Sequence, residues 1–182
     1  FEVRAPRDCE AMFDLLTYEK GASVLRMLEQ HIGPEVFRDG VRDYLRRHAY
    51  ANAETGDLWA ALGRAANQPI PAVMDAWIFQ PGYPLVSARL DGKELVLSQQ
   101  RFTYLPEPLP GATPSPRNQQ WQVPVQVRFN AAARVTTERR LLAGAETRLP
   151  VPDRLESALV NDGGHGFYRV RYSGELLERL LG

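Results

Sequence analysis

The sequence predicts an α+β, multi-domain chain. Residues 1–81 read as all-α, residues 82–172 as a β-sandwich, and residues 173–182 as the start of a further, truncated helical domain. Three observations carry this. Apolar residues recur at helical spacing through the first eighty positions, the spacing changes to alternation after Gln80-Pro81-Gly82-Tyr83-Pro84, and a leucine-rich stretch opens at Gly174.

In the first part, Thr17 is placed to cap a helix in which Gly21, Val24, Leu25, Leu28 and Ile32 form one apolar stripe. Gly33 supplies a left-handed stop and Pro34 suits the first turn of the next helix. There Phe37, Val41, Tyr44, Leu45 and His48 share a face, with Arg42, Arg46 and Arg47 turned away. Thr55 is the expected cap of a third helix carrying Leu58, Trp59 and Leu62. Pro71 opens a short fourth with Val73, Met74, Trp77 and Ile78. The short connections favour a compact helical array.

Two prolines around Gly82 end that array and start an extended run. Leu85 to Leu90, an Asp91-Gly92 turn and Glu94 to Gln99 form a hairpin signature. Leu105 to Asn118 is rich in proline and polar residues and reads as a mobile loop. Trp121, Val123, Val125, Val127 and Phe129 alternate with polar residues in the clearest strand, and Pro124 places it at an edge or a bulge. Further strands are expected near Arg134–Leu141, Thr147–Val151, Ala158–Asn161 and Phe167–Tyr172. About seven short strands in all is a sandwich pattern. Gly174 to Leu181 reads as a helix that ends the chain as a cut domain boundary would.

Composition narrows the function. Lys plus Arg number 22 and Asp plus Glu 22, so the formal charge is zero and no basic run invites nucleic acid. No apolar stretch reaches the length of a membrane span, and the first residues lack the pattern of a signal peptide. The single Cys9 excludes an internal disulfide and suits a reducing, cytoplasmic setting.

Candidate chemistry is sparse. Cys9 has no histidine close in sequence and reads as a packed thiol rather than the nucleophile of a cysteine hydrolase. His31, His48 and His165 are far apart, and none belongs to an H-E-x-x-H zinc pattern. His31 ends a helix, His48 lies on an apolar helical face, and His165 sits in the turn Gly163-Gly164-His165-Gly166. Tyr18 opens an amphipathic helix and, on periodicity alone, is a partly buried aromatic. Gly21 costs that helix about 1 kcal/mol against alanine, which suggests close approach by another element.

The order of motifs adds weight to Tyr18. Phe13-Asp14-Leu15-Leu16-Thr17-Tyr18-Glu19-Lys20-Gly21-Ala22-Ser23-Val24-Leu25-Arg26-Met27-Leu28 resembles the segment that carries the catalytic tyrosine of aminopeptidase N-like zinc metallopeptidases, the gluzincin aminopeptidases. Gly33-Pro34-Glu35-Val36-Phe37, Tyr44-Leu45, Tyr50-Ala51-Asn52-Ala53 and Asp57-Leu58-Trp59 resemble that family's following helices, in its order. Trp77-Ile78-Phe79-Gln80-Pro81-Gly82-Tyr83-Pro84 is similar to its junction between catalytic domain and β-sandwich. Gln100-Arg101-Phe102, Trp121-Gln122-Val123-Pro124-Val125 and Gly166-Phe167-Tyr168-Arg169-Val170-Arg171-Tyr172 look like its sandwich landmarks.

The resemblance implies that residues 1–81 are the C-terminal part of a thermolysin-like catalytic domain. It implies a parent enzyme that removes N-terminal residues from peptides. In that family two histidines and a glutamate hold zinc, another glutamate assists the attacking water, and a Gly-x-Met-Glu-Asn segment receives the substrate's amino end. None of these is in the 182 residues, so they are expected before Phe1, with no zinc in the isolated chain and the isolated chain inactive. Of the catalytic set only Tyr18 carries over, as donor to the oxyanion of the tetrahedral intermediate, a role worth roughly 2.7–4 kcal/mol in well-studied oxyanion holes. Peptide is the implied substrate, and self-association through an uncovered apolar face of residues 1–81 is expected. The alternative reading is a non-catalytic module that binds a partner protein.

Overall fold

The computed structural model describes residues 5, 15–104, 119–132 and 134–182, an α+β arrangement of five helices and two sheets. Cys9 and the expected mobile loop from Leu105 to Asn118 lie outside the described residues. The helices are α1 (Leu15–Ile32), α2 (Pro34–Arg47), α3 (Thr55–Ala66), α4 (Ile70–Ile78) and α5 (Gly174–Leu181). Gly33 links α1 to α2 at φ 93°, a conformation that excludes ordinary side chains, and Pro34 follows in the first turn.

Two caps differ from expectation. Thr17 lies inside α1, which is already helical at Leu15. At α3 the cap is Glu54 rather than Thr55, because the Asp57 carboxylate accepts the Glu54 backbone N–H at 2.8 Å and closes a capping box one residue earlier.

The strands are β1 (Pro84–Asp91), β2 (Glu94–Arg101), β3 (Val123–Ala131), β4 (Arg134–Leu142), β5 (Glu146–Pro150), β6 (Leu155–Val160) and β7 (Arg169–Tyr172). One sheet has the order β5-β2-β1-β7 and the other β4-β3-β6. The β1–β2 hairpin pairs Asp91 with Glu94 across Gly92, whose φ is 60°. Alternation decides the buried faces. Val86 and Ala88 of β1, and Val123, Val125, Val127, Phe129 and Ala131 of β3, all point inward.

The expected edge position of the proline strand is corrected. β3 is the central strand of its sheet, and its irregularity lies at Asn130/Ala131, away from Pro124. The proline is tolerated because β6 pairs with β3 only from Val127 onward, leaving Val123–Gln126 with β4 as the sole ladder partner.

One hydrophobic cluster joins helices and sheets. Val24, Met27 and Leu28 of α1, Trp59 and Leu62 of α3, and Met74 and Trp77 of α4 belong to it together with the inward residues of both sheets. The Trp77 indole N–H donates to the Gln122 carbonyl at 3.0 Å, and its ring lies 6.4 Å from that of Trp121. Gln99 fastens the two sheets. Its amide donates to the carbonyls of Trp121 (2.8 Å) and Gly144 (2.7 Å), and its side-chain oxygen accepts the Trp121 N–H at 2.9 Å. At the other edge the Tyr172 hydroxyl accepts the Val160 N–H and donates to the Val160 carbonyl.

Candidate functional site

Helix α1 presents two opposed faces. With about 100° per residue, Lys20, Val24, Met27 and His31 fall on one side. Val24 and Met27 are buried there, and Lys20 and His31 are half-buried. Tyr18, Ala22 and Arg26 fall on the other side and are exposed, Tyr18 to 60% of its surface. The phenol is therefore not sunk in hydrophobic packing. The exposed side continues into an open cleft of 410 Å³, lined by Ala22, Ser23 and Arg26 of α1 and by Gly164, His165, Gly166 and Phe167.

The wall opposite α1 is the segment between β6 and β7. A short 3-10 turn spans Asp162–Gly164, with positive φ at Asn161 (63°), Gly163 (78°) and Gly164 (70°). The Asn161 side chain holds this turn closed by accepting the Gly166 N–H at 2.7 Å and donating to the Gly166 carbonyl at 3.2 Å. The backbone N–H of Phe167 reaches the Met27 sulfur at 3.4 Å, which docks the turn on α1.

Beneath the turn, a smaller cavity of 20 Å³ brings together His31, Arg139, Asp162, His165 and Tyr168. It has room for about one water. Burial holds the His31 imidazole below its usual pKa, a hydrogen bond with Gln68 opposes that shift, and the Arg139 charge adds to it. Burial likewise pushes the Tyr168 phenol well above its usual range.

The expected histidines thus have three separate settings. His31 closes the seam between α1 and the sheets. His48 lies against the Tyr44 ring at 5.4 Å, with its Nε2 3.9 Å from Asp57. His165 lines both cavities. Among the described residues no group of three or more His, Cys, Asp or Glu side chains could hold a metal. These residues do not fit a zinc site of their own.

The close approach inferred for Gly21 is also corrected. No described atom lies within 4 Å of a Cβ placed there. The close approach belongs instead to Gly40 of α2, where a Cβ would stand 2.8 Å from Leu62 Cδ2 and 3.0 Å from Leu62 Cα.

One residue escaped the sequence reading. Lys20, two positions after Tyr18, extends its Nζ to the Gln80 carbonyl at 3.3 Å, just past the end of α4. Burial lowers its pKa. The only hint was a lysine on the apolar side of an amphipathic helix, and its partner sixty positions away leaves no trace in periodicity.

Among known proteins, the peptidase family M1 domain matches residues 1–77. Along nearly its whole length the chain is 32% identical over 180 residues to the tricorn protease-interacting factor F2 of Thermoplasma volcanium, covering 99% of this chain and 21% of that protein. It is 37% identical over 172 residues to the glutamyl aminopeptidase of Mus musculus, covering 94% and 18% respectively. It is 35% identical over 184 residues to the puromycin-sensitive aminopeptidase of Caenorhabditis elegans, covering 99% and 19%. The chain spans about a fifth of the length of these relatives.

Proposed function

Because the chain belongs to the peptidase family M1 aminopeptidases, we propose that the protein carrying it is a zinc-dependent aminopeptidase that removes N-terminal residues from peptides. In this reading residues 1–81 are the C-terminal part of its thermolysin-like catalytic domain, residues 82–172 a β-sandwich, and residues 173–182 the opening of a further helical domain. The sequence holds no H-E-x-x-H, so other residues of the protein are to supply the metal, and the isolated chain is to be inactive.

What this chain contributes is Tyr18. The observation that carries the role is its placement, exposed on α1 opposite the buried face and within the matched residues. A phenol O–H held on a packed helix can donate to the oxyanion as the tetrahedral intermediate forms. A donor fixed in advance stabilises that charge without reorganising at the moment of reaction. The interaction strengthens only as the charge develops, so it acts on turnover rather than on substrate binding.

The test is Tyr18→Phe in the complete, zinc-loaded enzyme, assayed on an aminoacyl-anilide. Loss of the donor is expected to lower kcat by about 10²–10³-fold with KM little changed. Unchanged kcat sinks the assignment. The isolated chain is to show no chelator-sensitive turnover on the same substrate with added zinc.

Two further expectations belong to the same reading. A cytoplasmic location accords with the single cysteine, and no helix among the described residues is long and apolar enough to cross a membrane. Self-association of the isolated chain accords with exposed Leu45, Tyr50, Ile78 and Phe79 in the helical part. A monomeric mass by sedimentation would remove the latter.

A further inference from the structure

We propose that Lys20 is the positioning residue for Tyr18, an anchor that holds the first turns of α1 against the end of α4. The proposal deepens the reading of Tyr18 as oxyanion donor and rests on it for its catalytic consequence alone.

The geometry begins with the distribution of anchors along α1. Among the described side chains, Thr17, Tyr18 and Glu19 are exposed, and the first fully buried one is Val24. Six residues separate Tyr18 from Val24, a lever of about 9 Å at 1.5 Å per residue. A tilt of 10° about Val24 would displace the Tyr18 backbone by about 1.6 Å over that lever. Misplacement of about 1 Å can cost 10²-fold in rate, so a contact that fixes the turns ahead of Val24 bears directly on where the phenol is held.

Lys20 sits where such a hold is most effective. It lies on the buried side of the helix, about 200° around the axis from Tyr18, so fixing its ammonium sets both the tilt and the roll that aim the phenol. Its acceptor is rigid. The Gln80 carbonyl follows α4, and the Gln80 side chain is clamped in turn, donating to the Ala76 carbonyl at 3.1 Å and to the Gln120 carbonyl at 2.9 Å. Trp77, one turn earlier, is fully buried and bonded to Gln122. A cation beyond the last turn of α4 also complements the negative end of that helix.

The decisive measurement is hydrogen–deuterium exchange on the 182-residue chain, comparing wild type, Lys20→Met and Lys20→Arg. Lys20→Met keeps the length and apolar stem while removing the donor. It is expected to speed exchange of the Glu19–Ser23 amides at least about tenfold while α3 amides keep their rates, as a local opening does. Lys20→Arg, which retains charge and donor, is expected to restore most of the protection. Unchanged exchange at Glu19–Ser23, or equal acceleration in α3, overturns the anchor.

In the complete enzyme Lys20→Met is expected to lower kcat by about 10²-fold with KM within about threefold, since uniform binding is untouched. The double variant with Tyr18→Phe should be no slower than Tyr18→Phe alone, because the anchor acts through that phenol. Full multiplication of the two losses overturns the link to Tyr18. If Tyr18→Phe itself leaves turnover unchanged, the oxyanion reading falls and the exchange result still decides the anchor.

Discussion

Gly40 and Gly21 are both interior helical glycines, yet the structure assigns them opposite responses to the same change. Replacing a helical glycine by alanine gains about 1 kcal/mol of propensity in either position. At Gly21 that gain is unopposed, since a Cβ would meet no described atom within 4 Å. At Gly40 the new methyl would press on Leu62 at Cδ2 (2.8 Å) and Cα (3.0 Å) and on Ala65 Cβ at 3.3 Å. Leu62 is fully buried, and the atom at 3.0 Å is its Cα, part of the α3 backbone, which cannot step aside as a side-chain end can.

Overpacking of this kind costs about 1–3 kcal/mol. The net change at Gly40 is then a loss of about 0–2 kcal/mol, against a gain of about 1 kcal/mol at Gly21. For a chain of this size 1 kcal/mol moves the melting temperature by about 2–4 °C. Gly40→Ala is expected to melt below wild type and Gly21→Ala above it. Because the propensity gain is common to both, the difference between the two variants isolates the packing cost. Calorimetric or circular-dichroism melts of the three proteins provide the measurement. Equal stabilisation by both substitutions would refute the claim that α2 and α3 meet at Gly40.

Other perturbations follow from the same geometry. Gln99→Ala should lose about 1–3 kcal/mol by stranding the Trp121 N–H and the carbonyls it serves, seen as a lower urea midpoint with unchanged slope; an unchanged midpoint contradicts the fastening role. Tyr172→Phe removes both hydroxyl bonds to Val160 and should cost about 1–2 kcal/mol, with faster exchange at β6 as its local mark; wild-type exchange there would exclude it.

His31 makes stability depend on pH. Its folded-state pKa lies below the ordinary 6.5, so the unfolded chain takes up a proton first. The associated stability is complete above about pH 6.5 and declines as pH falls through that value toward the lower folded one, by at most about 1.4 kcal/mol per pH unit. Arg139, whose charge adds to the depression, lines the same cavity as Asp162 and His165. His31→Gln should flatten the fall in urea midpoint between about pH 7 and pH 5.5, and an unaltered slope would show that other groups carry it.

Much of this protein is legible along the chain. Local rules act within a few residues, so Gly33-Pro34 marks a helix boundary, Asp91-Gly92 a hairpin and the Val123–Phe129 alternation a half-buried strand wherever they occur. Tyr18, by contrast, reads from periodicity as partly buried and is instead 60% exposed, because the packed face of α1 falls on the opposite side, at Val24 and Met27. Contacts between distant segments are another matter. The parallel pairing of β1 with β7, the central place of β3, the Lys20–Gln80 tether and the Gly40–Leu62 contact join residues from 22 to more than 80 positions apart. Periodicity carries no term for such pairs. They are decided when helices and sheets settle on one shared core, because close packing admits few mutual arrangements of faces that are each merely apolar.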